Sequence, residues 1–431
     1  MSMRLTTMMC AVACLLGVAP EARAQGDVIY LDAIVRGAKK EMTFVIPDFG
    51  DAQGIARIVK ADLIRHGAFI PITASDADIR TLDSADRQKG TVHFRNWANL
   101  GAQLLGKGAA SGTAQLSVEF TLYSPANGKR VFGKRYAGAA SSYSVIAHTI
   151  ADDIIVAVLG GKGFFTSKLL FVKGSTGTKN IYLCDADGRN QRALTHYKTL
   201  CLFPDWYPDR QHYVFSGYME GRPILYKGKI AGGDVQRLLA RPGMNTSPAV
   251  SPDGSSMAVI LDQDGQPELY VVNLSSGNRK RLTAGRAVES SPAWSPDSRQ
   301  IAYSSDESTG KPQIYLISAS GGKPRRLTTS ARSPYCASPA WSPDGKKICF
   351  VAQVAGNFDI CMYDLASNEM YQLTNDPSND EQPSWARDSR HIAFARVHGS
   401  GARLMLLDSE TGKSSTLVQD APFCGQPAWE P

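Results

Sequence analysis

The chain has 431 residues, 43% of them hydrophobic and 20% charged, with a formal net charge of +7. That length exceeds what one hydrophobic core usually serves and predicts two domains. The charge excess is mild and no run of five like charges occurs, which argues against a charge-driven nucleic-acid or membrane-surface protein.

Arg4 precedes an apolar run from Met8 to Ala19, and Ala22-Arg23-Ala24 has the small-x-small pattern of a signal-peptidase site. Residues 1–24 are therefore expected to be a removed signal peptide, cleaved between Ala24 and Gln25, leaving 407 residues at a formal charge of +6. A rival reading makes Cys14 a lipidation site. No later stretch approaches roughly 18 uninterrupted apolar residues, so a soluble exported protein is expected.

Residues 25–163 predict a small α/β domain. Val28 to Leu31 and Met42 to Ile46 read as strands, and Ile55, Ile58, Val59 and Leu63 recur at helical spacing. Further strands are expected around Ala68 to Ile72, Gln115 to Tyr123 and Lys129 to Tyr136, and a second helix from Ser144 to Leu159. Gly160-Gly161-Lys162-Gly163 then ends that helix and links the domains. Gly101 to Gly108 resembles a phosphate loop except at its last position, where Gly108 replaces the Ser or Thr that would hold magnesium.

Residues 164–431 repeat one phrase six times. Its prolines are Pro204, Pro248, Pro292, Pro339, Pro383 and Pro427, spaced 44, 44, 47, 44 and 44 residues apart, with tryptophan two residues later in five copies. A Pro-Asp turn follows in four, with Arg387-Asp388 in its place in a fifth, and a Leu-Thr phrase closes several units. A unit of this length suits four short strands, which is a propeller blade. The region before the first phrase has later strands but no marker, and the last phrase has nothing after it. The expected fold is thus an α/β domain followed by an all-β six-bladed propeller, its C-terminal strand completing the first blade.

Asp209, Asp253, Asp297, Asp344 and Asp388 occupy one register in five units, which assigns them to turns rather than to acid–base chemistry. The seven histidines show no HExxH or other ligand spacing, and His148 is expected to be a hydrogen-bonded packing residue. Six cysteines follow the cleavage site, without CxxC spacing. Cys201 and Cys424 each lie three residues before a marker proline in blades that closure would make neighbours, so they form a candidate disulfide whose alternative is a pair of buried small apolar side chains.

Five stretches carry a family resemblance: Ile46-Pro47-Asp48-Phe49; Asp62-Leu63 through Gly67-Ala68-Phe69; Trp97 through Leu100-Gly101-Ala102; Ala147-His148 through Ala151-Asp152; and Gly160 through Gly163-Phe164. In order and spacing, and with six repeats behind them, these resemble the TolB family over essentially the whole mature chain. The resemblance implies binding rather than catalysis, with no cofactor and no metal. It implies a periplasmic component of the Tol-Pal system that binds the lipoprotein Pal at the propeller channel mouth and TolA through the mature N-terminus. Pal occupancy would order the N-terminal segment and withdraw it from TolA, in support of envelope constriction at division and outer-membrane integrity.

Carried onto this chain, the TolA segment is Gln25, Gly26, Asp27, Val28, Ile29, Tyr30, Leu31, Asp32 and Ala33. These residues would add an edge strand to a partner or form the first strand of their own domain. The Pal site falls on Met244, Ser247 and Ser290. Repeat phase adds Asn245, Thr246, Glu289, Tyr335, Asp380 and Glu381 as neighbours, and Asp380 or Glu381 also offers a carboxylate to a calcium ion in the channel. Peptidases with related propellers append a hydrolase domain with a G-x-S-x-G turn, a motif missing from this sequence. The alternative function is a propeller scaffold or accessory subunit of an exported hydrolase.

Overall fold

The computed structural model describes residues 29–30, 41–262, 265–308 and 310–431. The expected signal peptide with its cleavage site at Ala24 and Gln25 lies outside the described residues, as do Gly26, Asp27, Val28, Leu31, Asp32 and Ala33.

Strand β1 (Ile29–Tyr30) does not join the sheet of the N-terminal domain. It runs parallel to the strand Glu369–Gln372, pairing Ile29 with Tyr371 and Tyr30 with Gln372. The expectation that it opens its own domain's sheet is corrected: an outer strand of the repeat region offers unpaired backbone groups, and an extended segment satisfies them.

The N-terminal domain is built on β2 (Met42–Val45), β3 (Phe69–Pro71), β4 (Leu104–Ser111), β5 (Gln115–Ser124) and β6 (Lys129–Ala139), in the order β3-β2-β4-β5-β6. Its helices are α1 (Ile55–His66), α2 (Asp76–Lys89), α3 (Phe94–Asn99) and α4 (Tyr143–Leu159). Gly67 caps α1 at φ 82°, a left-handed conformation that favours glycine. The segment Ala140–Leu159 has the length and apolar composition of a membrane span, but α4 packs on α1 and β6 and carries His148 and Asp152 inward.

The glycines of β4 have a packing role. A Cβ on Gly106 would meet the Phe120 ring at 2.8 Å, and one on Gly108 would meet Phe49 at 2.4 Å. The apparent phosphate loop is therefore a strand whose bare backbone admits two buried rings.

From β7 (Lys168–Ser175) onward the chain is almost all strand. Three four-stranded antiparallel sheets begin at Cys201, Asn245 and Glu289, and a fourth sheet, beginning at Cys336, also takes up β1. The C-terminal strand Phe423–Trp429 pairs antiparallel with β7, setting Cys424 against Lys173 and Trp429 against Leu169. The repeated phrases have clear physical roles. In four units the closing threonine, at Thr195, Thr283, Thr328 or Thr374, accepts a backbone N–H at 2.9 Å from the strand before the one it follows. Tryptophans join adjacent sheets: Trp206, Trp294 and Trp385 donate Nε1–H to the carbonyls of Ala428, Ala249 and Ala340. All five turn aspartates accept backbone N–H groups two residues on, as assigned.

One core runs through both regions. Phe44, Ile58, Leu63, Phe120 and Ile150 are continuous with Leu169, Phe171, Leu406 and Trp429.

Candidate partner-binding faces

The residue just before each marker proline has a positive φ: Phe203, Ser247, Ser291, Ser338, Gln382 and Gln426, between 49° and 55°. Each sits at a register shift, so the strand bulges there and then resumes. Left-handed backbone costs a non-glycine residue about 1–2 kcal/mol, and its occurrence in all six phrases makes it architectural. The bulge turns these residues and the prolines toward a cavity of about 440 Å³, lined by all six phrases. Side-chain amides connect neighbouring phrases there, as Phe203 N–H donates to Gln426 Oε1 at 2.8 Å and Gln426 N–H to Gln382 Oε1 at 3.2 Å.

The predicted Pal residues separate by repeat phase. Ser247 lines the cavity, whereas Ser290 does not; the counterpart of Ser247 in the next unit is Ser291. Met244, Thr246, Ser290, Tyr335 and Glu381 are half-buried near the starts of their strands. Asn245, Glu289 and Asp380, three residues before their prolines, are buried. Asn245 is engaged internally, its Oδ1 accepting from Arg241 N–H at 3.0 Å and its Nδ2 donating to the Arg241 carbonyl at 2.9 Å. Asp380 forms a two-pronged pair with Arg396 at 2.8 Å on each arm. Asn245 and Asp380 are thus corrected from candidate surface contacts to loop and strand supports, and the Arg396 pair occupies the carboxylate offered to calcium.

Glu289 differs. It is 6% exposed, and among the described residues its Oε2 has no hydrogen-bond partner. Burial, reinforced by Glu307 and Asp306, pushes its carboxyl up to about 7 against the hydrogen bond from Ser305. It lines a second cavity with Tyr303, Asp306, Glu307 and Arg286.

The candidate Cys201–Cys424 bridge is also corrected. Both are free buried thiols. Cys201 lies in a strand paired to His212–Gly217 and Cys424 in one paired to β7, so they belong to different sheets. Sheets packed face to face are about 10 Å apart, more than a disulfide spans.

At the junction of the two regions, His148 is held as a packing residue, with Nδ1 2.7 Å from Asp62 Oδ2 and Nε2 3.7 Å from Asp185 Oδ2. Burial alone would lower its pKa, but the Asp185 and Asp62 carboxylates outweigh burial and raise it to about 10. The sequence pattern gave no sign of Asp185 as a partner, because it belongs to the first sheet of the repeat region.

Comparison with known proteins places these features. Residues 156–431 match the family described as TolB beta propeller domain, and residues 33–131 match the TolB amino-terminal domain. A curated relative, "Protein TolB homolog" of Chlorobium chlorochromatii (strain CaD3), is 31% identical over 160 residues, or 37% of this chain and 36% of that protein. The chain thus aligns with little more than a third of that relative's length. The fold is similar to the crystal structure of TolB from Acinetobacter baumannii, with a TM-score of 0.80 and 24% identity over 91% of this chain and 97% of that one. A nidogen/laminin complex chain is similar at a TM-score of 0.52 and 11% identity, over 62% of this chain and 98% of that one. The propeller-domain match alone takes in more than half of the sequence, and the chain belongs to the TolB family.

Proposed function

We propose that this chain is a periplasmic interaction component of the Tol-Pal system, exported by residues 1–24 and acting through binding rather than catalysis. In this reading residues 25–163 form the N-terminal domain and residues 164–431 a six-bladed ring completed by its own C-terminal strand. Pal binds at the channel mouth, over Met244, Thr246, Ser247, Ser290, Glu289, Tyr335 and Glu381. TolA binds the segment Gln25 to Ala33. The observation that carries the proposal is the family match over both regions. The pairing of Ile29 and Tyr30 with the strand Glu369–Gln372 supports a coupling, since the edge of the segment that pairs there is not free for a partner.

Titration calorimetry with a purified Pal domain and a TolA C-terminal domain tests this. Binding of Pal that is lost on bulky substitution at Ser290, and binding of TolA that is lost on deleting residues 25–33, is the expected result. A folded chain that binds neither would instead favour an accessory scaffold of an exported hydrolase.

A further inference from the structure

His66 ends α1, and its carbonyl oxygen faces the repeat region. His391, at the start of the strand His391–His398, donates Nε2–H to that carbonyl at 3.1 Å. Its other nitrogen, Nδ1, lies 2.5 Å from Asp388 Oδ2. The other Asp388 oxygen accepts the backbone N–H groups of Arg390 and His391, both at 3.0 Å, which leaves Oδ2 aimed at the histidines. His66 Nδ1 is buried, on a residue 3% exposed, and among the described residues it has no hydrogen-bond partner. One donor atom each from His66, Asp388 and His391 lies within 4.8 Å of the other two.

We propose that His66, Asp388 and His391 form a binding site for a zinc-class dication that joins the N-terminal domain to the repeat region.

The donor set of two imidazoles and one carboxylate matches what zinc takes in three-residue sites that keep a fourth position for water. The surrounding hydrogen bonds are those a metal site needs. A ligating histidine ordinarily donates its second N–H to a carbonyl or carboxylate, and His391 already does so to the His66 carbonyl. Donors in a tetrahedral zinc site at bonds of 2.0–2.2 Å are roughly 3.4 Å apart, so the His391–Asp388 pair at 2.5 Å must open, while the other pairs, within 4.8 Å, are close enough to share one ion. The proton shared by His391 Nδ1 and Asp388 Oδ2 leaves to solvent, the metal takes its place, and no oxidation is involved.

His66 is available as a ligand because its buried Nδ1 has no hydrogen-bond partner among the described residues. Arg390 is already neutralised by Asp408, at 2.8 and 2.7 Å, and by Glu410, at 2.8 Å. Access is provided by a cavity of about 420 Å³ whose lining includes His66, Asp388, Arg390, Glu410 and Lys162. The other close group, Asp62, His148 and Asp187, is buried throughout, and its histidine is already held by carboxylates on two sides. Because His66 and Asp388 are 322 residues apart and lie in different domains, a bound metal would favour the docked arrangement by mass action.

The test uses untagged full-length mature protein stripped by chelator. Calorimetry with zinc alone should give one equivalent per chain, and cobalt should give the visible bands of a tetrahedral site. Zinc should raise the Tm of the wild type and not of a folded His66→Gln variant, whose affinity should fall tenfold or more. His398→Gln, at an exposed histidine elsewhere, should bind like the wild type. X-ray absorption on the zinc-loaded wild type supplies a readout that needs no variant, and two imidazoles in the first shell are expected. Less than one equivalent bound, undiminished binding by His66→Gln, or a shell with fewer than two imidazoles would overturn the proposal.

Discussion

The guanidinium of Arg387 lies 2.9 Å from Asp152 Oδ2, joining a turn of the repeat region to α4 across 235 residues of sequence. Asp152 is the hub of this junction. Its carboxylate also accepts Phe165 N–H at 2.9 Å, Thr166 N–H at 3.0 Å and the Thr166 hydroxyl at 2.7 Å. Gly163 passes so close that a Cβ there would sit 2.3 Å from Asp152 Oδ1. Removing the hub should therefore cost more than removing one spoke. Asp152→Ala strands the buried Phe165 N–H and the half-buried Thr166 N–H and is expected to destabilise by about 3–4 kcal/mol, whereas Arg387→Ala, which also loses its bonds to the Gly163 carbonyl and Thr166 Oγ1, leaves three of the four bonds to Asp152 and should cost about 1–2 kcal/mol. Urea unfolding of both variants checks the order; equal losses would mean that the pairing with Arg387, not the bonds to Phe165 and Thr166, is what Asp152 contributes.

His148 gives the junction a pH dependence. Its folded pKa of about 10 stands above the ordinary 6.5 because Asp185 and Asp62 outweigh the effect of burial. A histidine raised on folding contributes stability that is complete below pH 6.5 and declines as pH rises toward 10. The difference between wild type and His148→Gln should thus be largest near pH 6, on the order of 3 kcal/mol, and shrink steadily to pH 10. Tm measured for both proteins at intervals over that range tests the sign; a difference that grows with pH would contradict it.

Glu289 shows the same sign of pH dependence from a different cause, because burial disfavours its charged form instead of partners favouring it. Its carboxyl is raised from 4.5 to about 7, so folding favours the protonated form and the wild type loses stability as pH climbs from 4.5 through 7. Glu289→Gln removes the charge while retaining the shape. It should match the wild type below pH 4.5 and exceed it above pH 8 by up to about 3 kcal/mol. Urea midpoints at pH 4.5 and 8 decide the matter. A stabilised variant that binds Pal less well would also separate a binding role of this residue from its burden on the fold.

The six marker phrases predict strands, turns and seams because their roles lie within one unit: an aspartate bonds two residues ahead, and a threonine bonds back to the strand before the one it follows. Helix α2 escaped notice because its only buried residues are Asp83 and Asp86, so it has no apolar period to read. Asp86 instead accepts Trp97 Nε1–H at 2.8 Å and pairs with Lys107 at 2.9 Å, contacts that form only after folding. Proximity to the prolines does not separate the mouth residues: strand alternation ahead of the bulge points Asn245 and Asp380 inward, and the bulge itself turns Ser247 to the cavity. His66 and His391 could not be associated from spacing at all.

Packing at Gly108 can be tested directly. Gly108→Ala places a methyl 2.4 Å from the Phe49 ring, itself 2% exposed. Such overpacking should cost about 1–3 kcal/mol. Phe49→Leu in the same chain should recover part of that loss, since the smaller side chain vacates the space, and a double-mutant cycle in urea measures the coupling. Additive losses would show that the ring does not set the requirement for glycine.

Ser247 and Ser290 should behave differently although the family resemblance pairs them. Ser247 holds φ at 50° in the bulge, where a bulky residue meets left-handed backbone strain of about 1–2 kcal/mol as well as the neighbouring phrases. Ser290 lies in regular pairing with Ser304 and has no such strain. Ser247→Trp is therefore expected to lower both stability and Pal affinity, and Ser290→Trp to lower affinity while changing stability by less than about 1 kcal/mol. Ser247→Gly relieves the strained φ and should leave the fold at least as stable, so its Pal affinity reports on the hydroxyl alone. If Ser247→Trp loses Pal binding in proportion to its loss of folded protein, Ser247 serves the bulge and the contact surface lies with Ser290 at the strand starts.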